Sequence, residues 1–357
     1  MTNLDTAPQA APEIRTSPDP SGDNVASQAP PTKMRRKRKA QIGSLLIALV
    51  ILGLLFAWYL MNRQPLSELP GLGSTKLPHY ELSIYGTANP IAVAVTPTGD
   101  RIYVTESNGP RLVHVYDKTG KQVGTLNPPK STGPSHLPDY VAINPVSQDV
   151  YVSDRATNMI YIYNATGTYL RTFTPKGKPV GAWQPLGLAF GPDGSLYATD
   201  VQGTGKAHRV VSFSPDGTFV RTLSTTGTLS FPNGIAVDGH GNVDVADSNN
   251  GRLLVFTPAG KTLGMVGHGV GAGDLGLPRG VAMDGSGRLF VVDSSDHMVR
   301  VYDATSVTVA TPTFIGSFGN EGQKDGTFEY PNGVATDTRA HIYVTDQGNN
   351  RVQVWGY

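Results

Sequence analysis

The sequence predicts an all-β body, a six-bladed β-propeller, behind a single N-terminal transmembrane helix. Three observations predict it. A motif of Pro, two residues, an apolar residue and Ala recurs six times, beginning at Pro90, Pro138, Pro185, Pro232, Pro278 and Pro331. Each copy is followed by short runs rich in Val, Ile, Tyr and Phe that alternate and are separated by Gly, Asp and Asn, which is the signature of strands and tight turns. Ahead of them, an uncharged run of 23 residues, 40 to 62, stands directly behind a basic cluster.

In chain order, residues 1 to 39 come first. Residues 1 to 32 are rich in Ala, Pro, Ser, Asp and Gln with few bulky apolar side chains, so they read as a disordered tail unable to offset the entropy of ordering. Lys33, Arg35, Arg36, Lys37, Arg38 and Lys39 close the tail. The run 40 to 62 contains LLIALVILGLLFAWYLM and is long enough, as a helix, for a hydrocarbon core of about 30 Å. It exceeds the usual apolar region of a cleaved signal peptide, and no small-residue cleavage site follows it. It therefore reads as a signal anchor. Six cations precede it and only Arg63 and Lys76 follow, which predicts a cytoplasmic N-terminus and an extracytoplasmic body. Residues 63 to 78, rich in Pro and Gly, read as a linker.

The body, 79 to 357, is the repeated part. The motif prolines are spaced by 48, 47, 47, 46 and 53 residues. Fifteen or sixteen residues after each Pro a carboxylate ends a second apolar run: Glu106, Asp154, Asp200, Asp247, Asp293 and Asp346. Third runs follow (RLVHVY, MIYIY, RVVSF, RLLVF, MVRVY, RVQVW), and fourth runs follow in the first five units (KQVGTL, TYLRTF, TFVRTL, KTLGMV, TFIGSF). The sixth unit has none before the chain stops at Tyr357, while HYELSIYG lies unassigned before the first. Ring closure, with 79 to 85 as the outer strand of the last blade, accounts for both and removes long exposed edges. The 42 Gly and 27 Pro, about a fifth of the 357 residues, suit a chain of many turns.

Composition also excludes functions. With no Cys there is no disulfide framework, no cysteine-linked lipid anchor and no catalytic thiol. Residues 77 to 357 hold 20 basic and 23 acidic residues, a net of −3, which offers no footprint for nucleic-acid phosphates. The six strand-ending carboxylates recur in every unit, whereas an active site breaks symmetry. They read as turn caps that pair with Arg, as where Asn249, Asn250 and Arg252 follow Asp247. At a surface such a pair contributes about 0 to 1 kcal/mol.

The stretches FGNEGQKDGTFEYPNGVATD (Phe318 to Asp337) and VGHGVGAGDLGLPRGVAMD (Val266 to Asp284), with IYVTDQGNNRVQVW and LFVVDSSDHMVRVY after them, resemble NHL repeats. The resemblance covers about 80 to 357, is strongest in units four to six, and implies a six-bladed NHL propeller. Unit three departs most, through the insertion VQGTGKAH. Related propellers include amidating lyases, streptogramin lyases and lactonases, whose metal ligands and acid-base residues sit on the face built by the loops that enter the first strands.

Specificity is expected on that face. The residues after the motif prolines are Ile91, Asp139, Leu186, Asn233, Arg279 and Asn332, and they differ from blade to blade. Asp139, Asn233, Arg279 and Asn332 are expected at the mouth of the central channel. An anion, a cation and two amides there suit a small polar ligand or a peptide, or else form a solvated rim. Tyr140 and Trp183, with Phe231 and Tyr330, line the same face or pack between blades. None of the six positions is His, and His136, His268 and His297 occupy unlike places in their blades. No catalytic set, metal site or cofactor is implied. The preferred function is a membrane-tethered extracytoplasmic module at the cell membrane that binds a protein, peptide or envelope ligand. The alternative is a metal-dependent lyase or hydrolase using the channel mouth. A purely structural role in an envelope complex is the third.

Overall fold

The computed structural model describes residues 49–54, 77–130, 133, 135–177, 181–202, 208–223, 228–269, 271–305 and 311–357. The chain divides into two units, Met1–Ser74 and Thr75–Tyr357. In the first, residues 49–54 are helical and exposed. Among the described residues no helix is long and apolar enough to cross a membrane. The basic tail, most of the run 40 to 62 and nearly all of the linker lie outside the described residues.

The second unit is a ring of six four-stranded antiparallel sheets. Strand β1 (His79–Tyr85) comes first, followed by blade I: β2 (Pro90–Val95), β3 (Ile102–Glu106), β4 (Val113–Tyr116) and β5 (Gln122–Leu126). Blade II is β6 (Pro138–Ile143), β7 (Val150–Asp154), β8 (Met159–Tyr163) and β9 (Tyr169–Thr172). Blade III is β10 (Pro185–Phe190), β11 (Leu196–Asp200), β12 (Arg209–Phe213) and β13 (Phe219–Thr222). Blade IV is β14 (Pro232–Val237), β15 (Val243–Asp247), β16 (Arg252–Phe256) and β17 (Thr262–Val266). Blade V is β18 (Pro278–Met283), β19 (Arg288–Asp293), β20 (Met298–Asp303) and β21 (Thr313–Phe318). Blade VI is β22 (Pro331–Thr336), β23 (Ile342–Asp346) and β24 (Arg351–Gly356), completed by β1, which pairs antiparallel with β24.

Each motif Pro opens an innermost strand, and neighbouring innermost strands touch around the ring, β22 closing on β2. There every blade carries the same irregularity. Pro90 pairs with Glu106 but Val93 with Val104, so one extra residue is inserted in the inner strand, and the equivalent shift occurs in all six blades. The bulge takes the N–H two residues after Pro out of the ladder. In four blades a hydroxyl one residue before the strand-ending carboxylate accepts it: Ala92 N donates to Thr105, Tyr140 N to Ser153, Gly187 N to Thr199 and Gly333 N to Thr345, at 2.6 to 3.1 Å. Each hydroxyl in turn donates to the next blade, at the carbonyls of Asp139, Leu186, Asn233 and Ile91. One buried side chain thus repairs a bulge and fastens two blades.

The residue two after Pro stands so close to its neighbour that its type is restricted. At Gly187, Gly234, Gly280 and Gly333 a Cβ would collide with the carbonyl of the post-proline residue of the next blade. Blades I and II carry Ala92 and Tyr140 there. Outward, aromatic residues wedge between blades: Tyr151 against Phe190 with centroids 4.8 Å apart, Phe173 against Phe213 at 5.1 Å, and Trp355 against Phe318 at 4.6 Å.

Candidate functional site

The strand-ending carboxylates are 0 to 1% exposed, so they are not surface pairs. Each caps the loop that enters the innermost strand of its own blade. Ala88, Leu137, Gln184, Ser230 and Glu329 donate backbone N–H groups to Glu106, Asp154, Asp200, Asp247 and Asp346, and Gly276 and Leu277 both donate to Asp293. The counter-charges come from different places. Arg209, Arg252 and Arg351 open third strands and place Nε 2.7 to 2.8 Å from Asp200, Asp247 and Asp346. His136, in a loop, sits 2.8 Å from Asp154, and His114, in a strand, 3.0 Å from Glu106. Buried carboxylates so engaged hold the rim loops in place.

The rim histidines are likewise occupied. Besides Asp154, His136 meets the Gly133 carbonyl at 3.0 Å; His268 Nδ1 lies 2.9 Å from the Leu275 carbonyl; His297 Nδ1 accepts the Tyr330 N–H at 3.2 Å. Among the described residues no three His, Cys, Asp or Glu side chains come together as a possible metal-holding group.

Of the residues expected at the channel mouth, Asp139 and Asn233 are 2% and 4% exposed, while Arg279 and Asn332 are half-buried. Asp139 Oδ2 stands 3.0 Å from Arg155 Nε without the alignment of a hydrogen bond. Burial pushes its carboxyl up to about 6, against the opposing pull of Arg155. Tyr140 lies one residue deeper than the mouth and does not line open water. It is 7% exposed, and its OH reaches past blade III to donate to Asn233 Oδ1 at 2.8 Å. Burial drives that phenol well above its ordinary range, offset in part by the charge of Arg279, which lies near enough to be felt. Trp183 packs between blades, its ring 5.8 Å from Phe213 and 6.3 Å from Phe173.

The mouth is therefore divided. On the arc of blades I to III stand Ile91, Asp139 and Leu186, all buried. On the arc of blades IV to VI stand Asn233, Arg279 and Asn332 in sequence around the ring. Arg279 makes no hydrogen bond or ion pair among the described residues. Asn332 donates through Nδ2 to Gln347 Oε1 at 3.2 Å, and its buried Oδ1 has no partner among the described residues. Sequence reasoning missed Arg155, Gln347 and the floor made by Tyr140. The one available signal was a Tyr in the slot where four blades carry Gly.

Residues 229–256 and 328–355, which cover most of blade IV and blade VI, match the NHL repeat family. Blades IV and VI are NHL repeats. The chain is similar to NHL repeat-containing protein 3 of Mus musculus, at 27% identity over 190 residues, 49% of this chain and 53% of the relative, so it spans about half of that relative's length. Among solved structures, one titled "Streptogramin B lyase structure" superposes with a TM-score of 0.54 at 13% identity, covering 78% of this chain and 97% of that one. At that identity the likeness is one of fold.

Blade IV holds one further departure. Five blades place an aromatic residue three before the carboxylate (Tyr103, Tyr151, Tyr197, Phe290, Tyr343), and blade IV places Asp244. It is 2% exposed, and burial, with the nearby charge of Asp238 as a smaller cause, pushes it up to about 8.

Proposed function

We propose that this NHL propeller is a binding module that holds a protein, peptide or envelope ligand at its channel mouth, on the arc of blades IV to VI, and that residues 40 to 62 tether it to the cell membrane with the propeller outside. One observation carries the binding reading. Among the described residues, the Arg279 guanidinium, on a channel-lining position between two amides, lacks the carboxylate partner that other cations of this chain have, as Arg155 has Asp139 and Arg252 has Asp247. A cation left without a partner in a concave polar setting is placed for a ligand, not for stability. The tether rests on the uncharged run and the basic residues before it.

Both parts are testable on the full-length chain in its own membranes. A photo-crosslinker in place of Tyr330, which is 56% exposed beside the mouth, is expected to give a discrete adduct that Arg279→Ala abolishes; the same group in place of Met265 on outer strand β17 gives none. An adduct only from β17, or one indifferent to Arg279, would overturn the mouth. Release of the chain from the membrane pellet by alkaline carbonate would overturn the tether.

A further inference from the structure

We infer that the ligand is a chain end, a peptide with a free α-carboxylate, received by Arg279 and Asn233 while the amide N–H next to that carboxylate is accepted by Asn332. This rests on the binding reading above and names the chemistry of its ligand. The polarity of the arc is fixed by its second contacts. Tyr140 donates to Asn233 Oδ1, so the Nδ2 donors of Asn233, on the strand next to that of Arg279, have no partner among the described residues. Gln347 takes Asn332 Nδ2, so what Asn332 has left is an acceptor, and that oxygen is buried and without a partner among the described residues. Around the arc the order is donor, cation, acceptor.

A bare phosphate or sulfate would satisfy the first two groups and set its own oxygens against the third. A carboxylate with an N–H two atoms away satisfies all three, since a guanidinium matches a carboxylate and an orphaned carbonyl oxygen calls for a donor. The floor also selects. The Tyr140 side chain runs from the inner strand of blade II to blade IV one residue below the mouth, so a chain cannot thread the channel there and has to end in it. Capture of a chain terminus by a few convergent polar groups is a known economy in peptide recognition.

The smallest probe with the required groups is N-acetylglycine. Acetate keeps its carboxylate and drops the N–H, N-acetylglycinamide keeps the N–H and drops the charge, and inorganic phosphate is the plain anion. The full-length chain in lipid nanodiscs, labelled with ¹⁵N-arginine, reports binding through the Arg279 Nε–Hε signal, assigned by its loss in Arg279→Lys. The expected result is saturation by N-acetylglycine at a concentration about tenfold lower than acetate, corresponding to one added hydrogen bond, and no shift with N-acetylglycinamide. Asn332→Ala is expected to erase the difference between N-acetylglycine and acetate. Equal binding of phosphate, acetate and N-acetylglycine would overturn the chain end and leave a general anion site. Silence with every probe, while the Tyr330 adduct persists, would overturn the carboxylate and spare the binding face; loss of the adduct as well would overturn both.

Discussion

Blades I to III and blades IV to VI have the same strands, the same bulge and the same buried carboxylate, yet they finish the channel mouth in opposite ways. In the first arc the post-proline side chains are buried, and Tyr140 fills the slot where blades IV to VI carry Gly234, Gly280 and Gly333. In the second the same positions carry two amides and a guanidinium, two of the three half-buried. The carboxylate caps differ from blade to blade. Asp200, Asp247 and Asp346 are held by an Arg that opens the third strand, whereas Glu106 and Asp154 are held by histidines from other places. The difference teaches that the repeat supplies a common frame, and that the side chains after the motif prolines make one arc of the mouth buried and the other partly open.

The largest expected effect separates the caps. Asp346 collects the Glu329 N–H, Asn349, Arg351 and Gln353, all within 2.7 to 3.1 Å. Removing it by Asp346→Ala takes the shared buried acceptor from one rim N–H and three side chains, although Arg351 keeps Asp325, and is expected to cost about 3 to 5 kcal/mol in urea unfolding. Glu106 collects only the Ala88 N–H and His114, and its Oε1 has no partner among the described residues. Glu106→Ala is expected to cost about 1 to 3 kcal/mol. Equal losses would erase the distinction between the arginine-held and histidine-held caps.

Next in size is the pH dependence set by Asp139, whose slot in blades IV and VI holds Asn. Its folded carboxyl titrates at about 6, above the ordinary value of 3.8, so the unfolded chain loses the proton first and stability falls as pH rises from about 4 to 6, then levels. Asp139→Asn removes that fall. Relative to the unsubstituted chain, the variant is expected to gain about 2 to 3 kcal/mol between pH 4 and pH 7, read from unfolding curves at both. A gap that does not change with pH would mean that Asp139 is not desolvated in the way its burial implies.

A smaller effect is expected at the inner slot. Gly280→Ala drives a Cβ into the Asn332 carbonyl and is expected to cost about 1 to 3 kcal/mol. Ala92→Gly, at the same position in blade I, is expected to cost only about 0.5 to 1 kcal/mol through chain entropy. The smallest effect on stability belongs to Arg279→Ala, within about 0.5 kcal/mol, because the side chain has no partner among the described residues to lose.

Much of this was legible in the sequence, for reasons that can be named. The six prolines and the six alanines four residues later mark the crowded inner strands, and every predicted blade stands where the period puts it. The missing fourth run after Trp355 and the spare run before Pro90 likewise correspond to one sheet, β24 beside β1. The burial of the carboxylates was not legible. A capping Asp at a surface turn and one sealed beneath a rim loop have the same neighbours in sequence. Nor was the floor, since Tyr140 meets Asn233 across 93 residues and only the ring brings them together. Periodicity alone therefore sets Asp139 and Arg279 in equivalent rim positions, whereas in the structure Asp139 is buried with Arg155 against it and Arg279 is half-buried.

The central claim is that the arc of blades IV to VI, and not the ring as a whole, holds the ligand. The most direct test places a photo-crosslinker at Tyr330 on that arc or at Asn108, an exposed rim residue of blade I, in the full-length chain in its own membranes. An adduct from Tyr330 alone, lost on Arg279→Ala, is the predicted result. Adducts of equal yield from both positions, or from Asn108 alone, would contradict it.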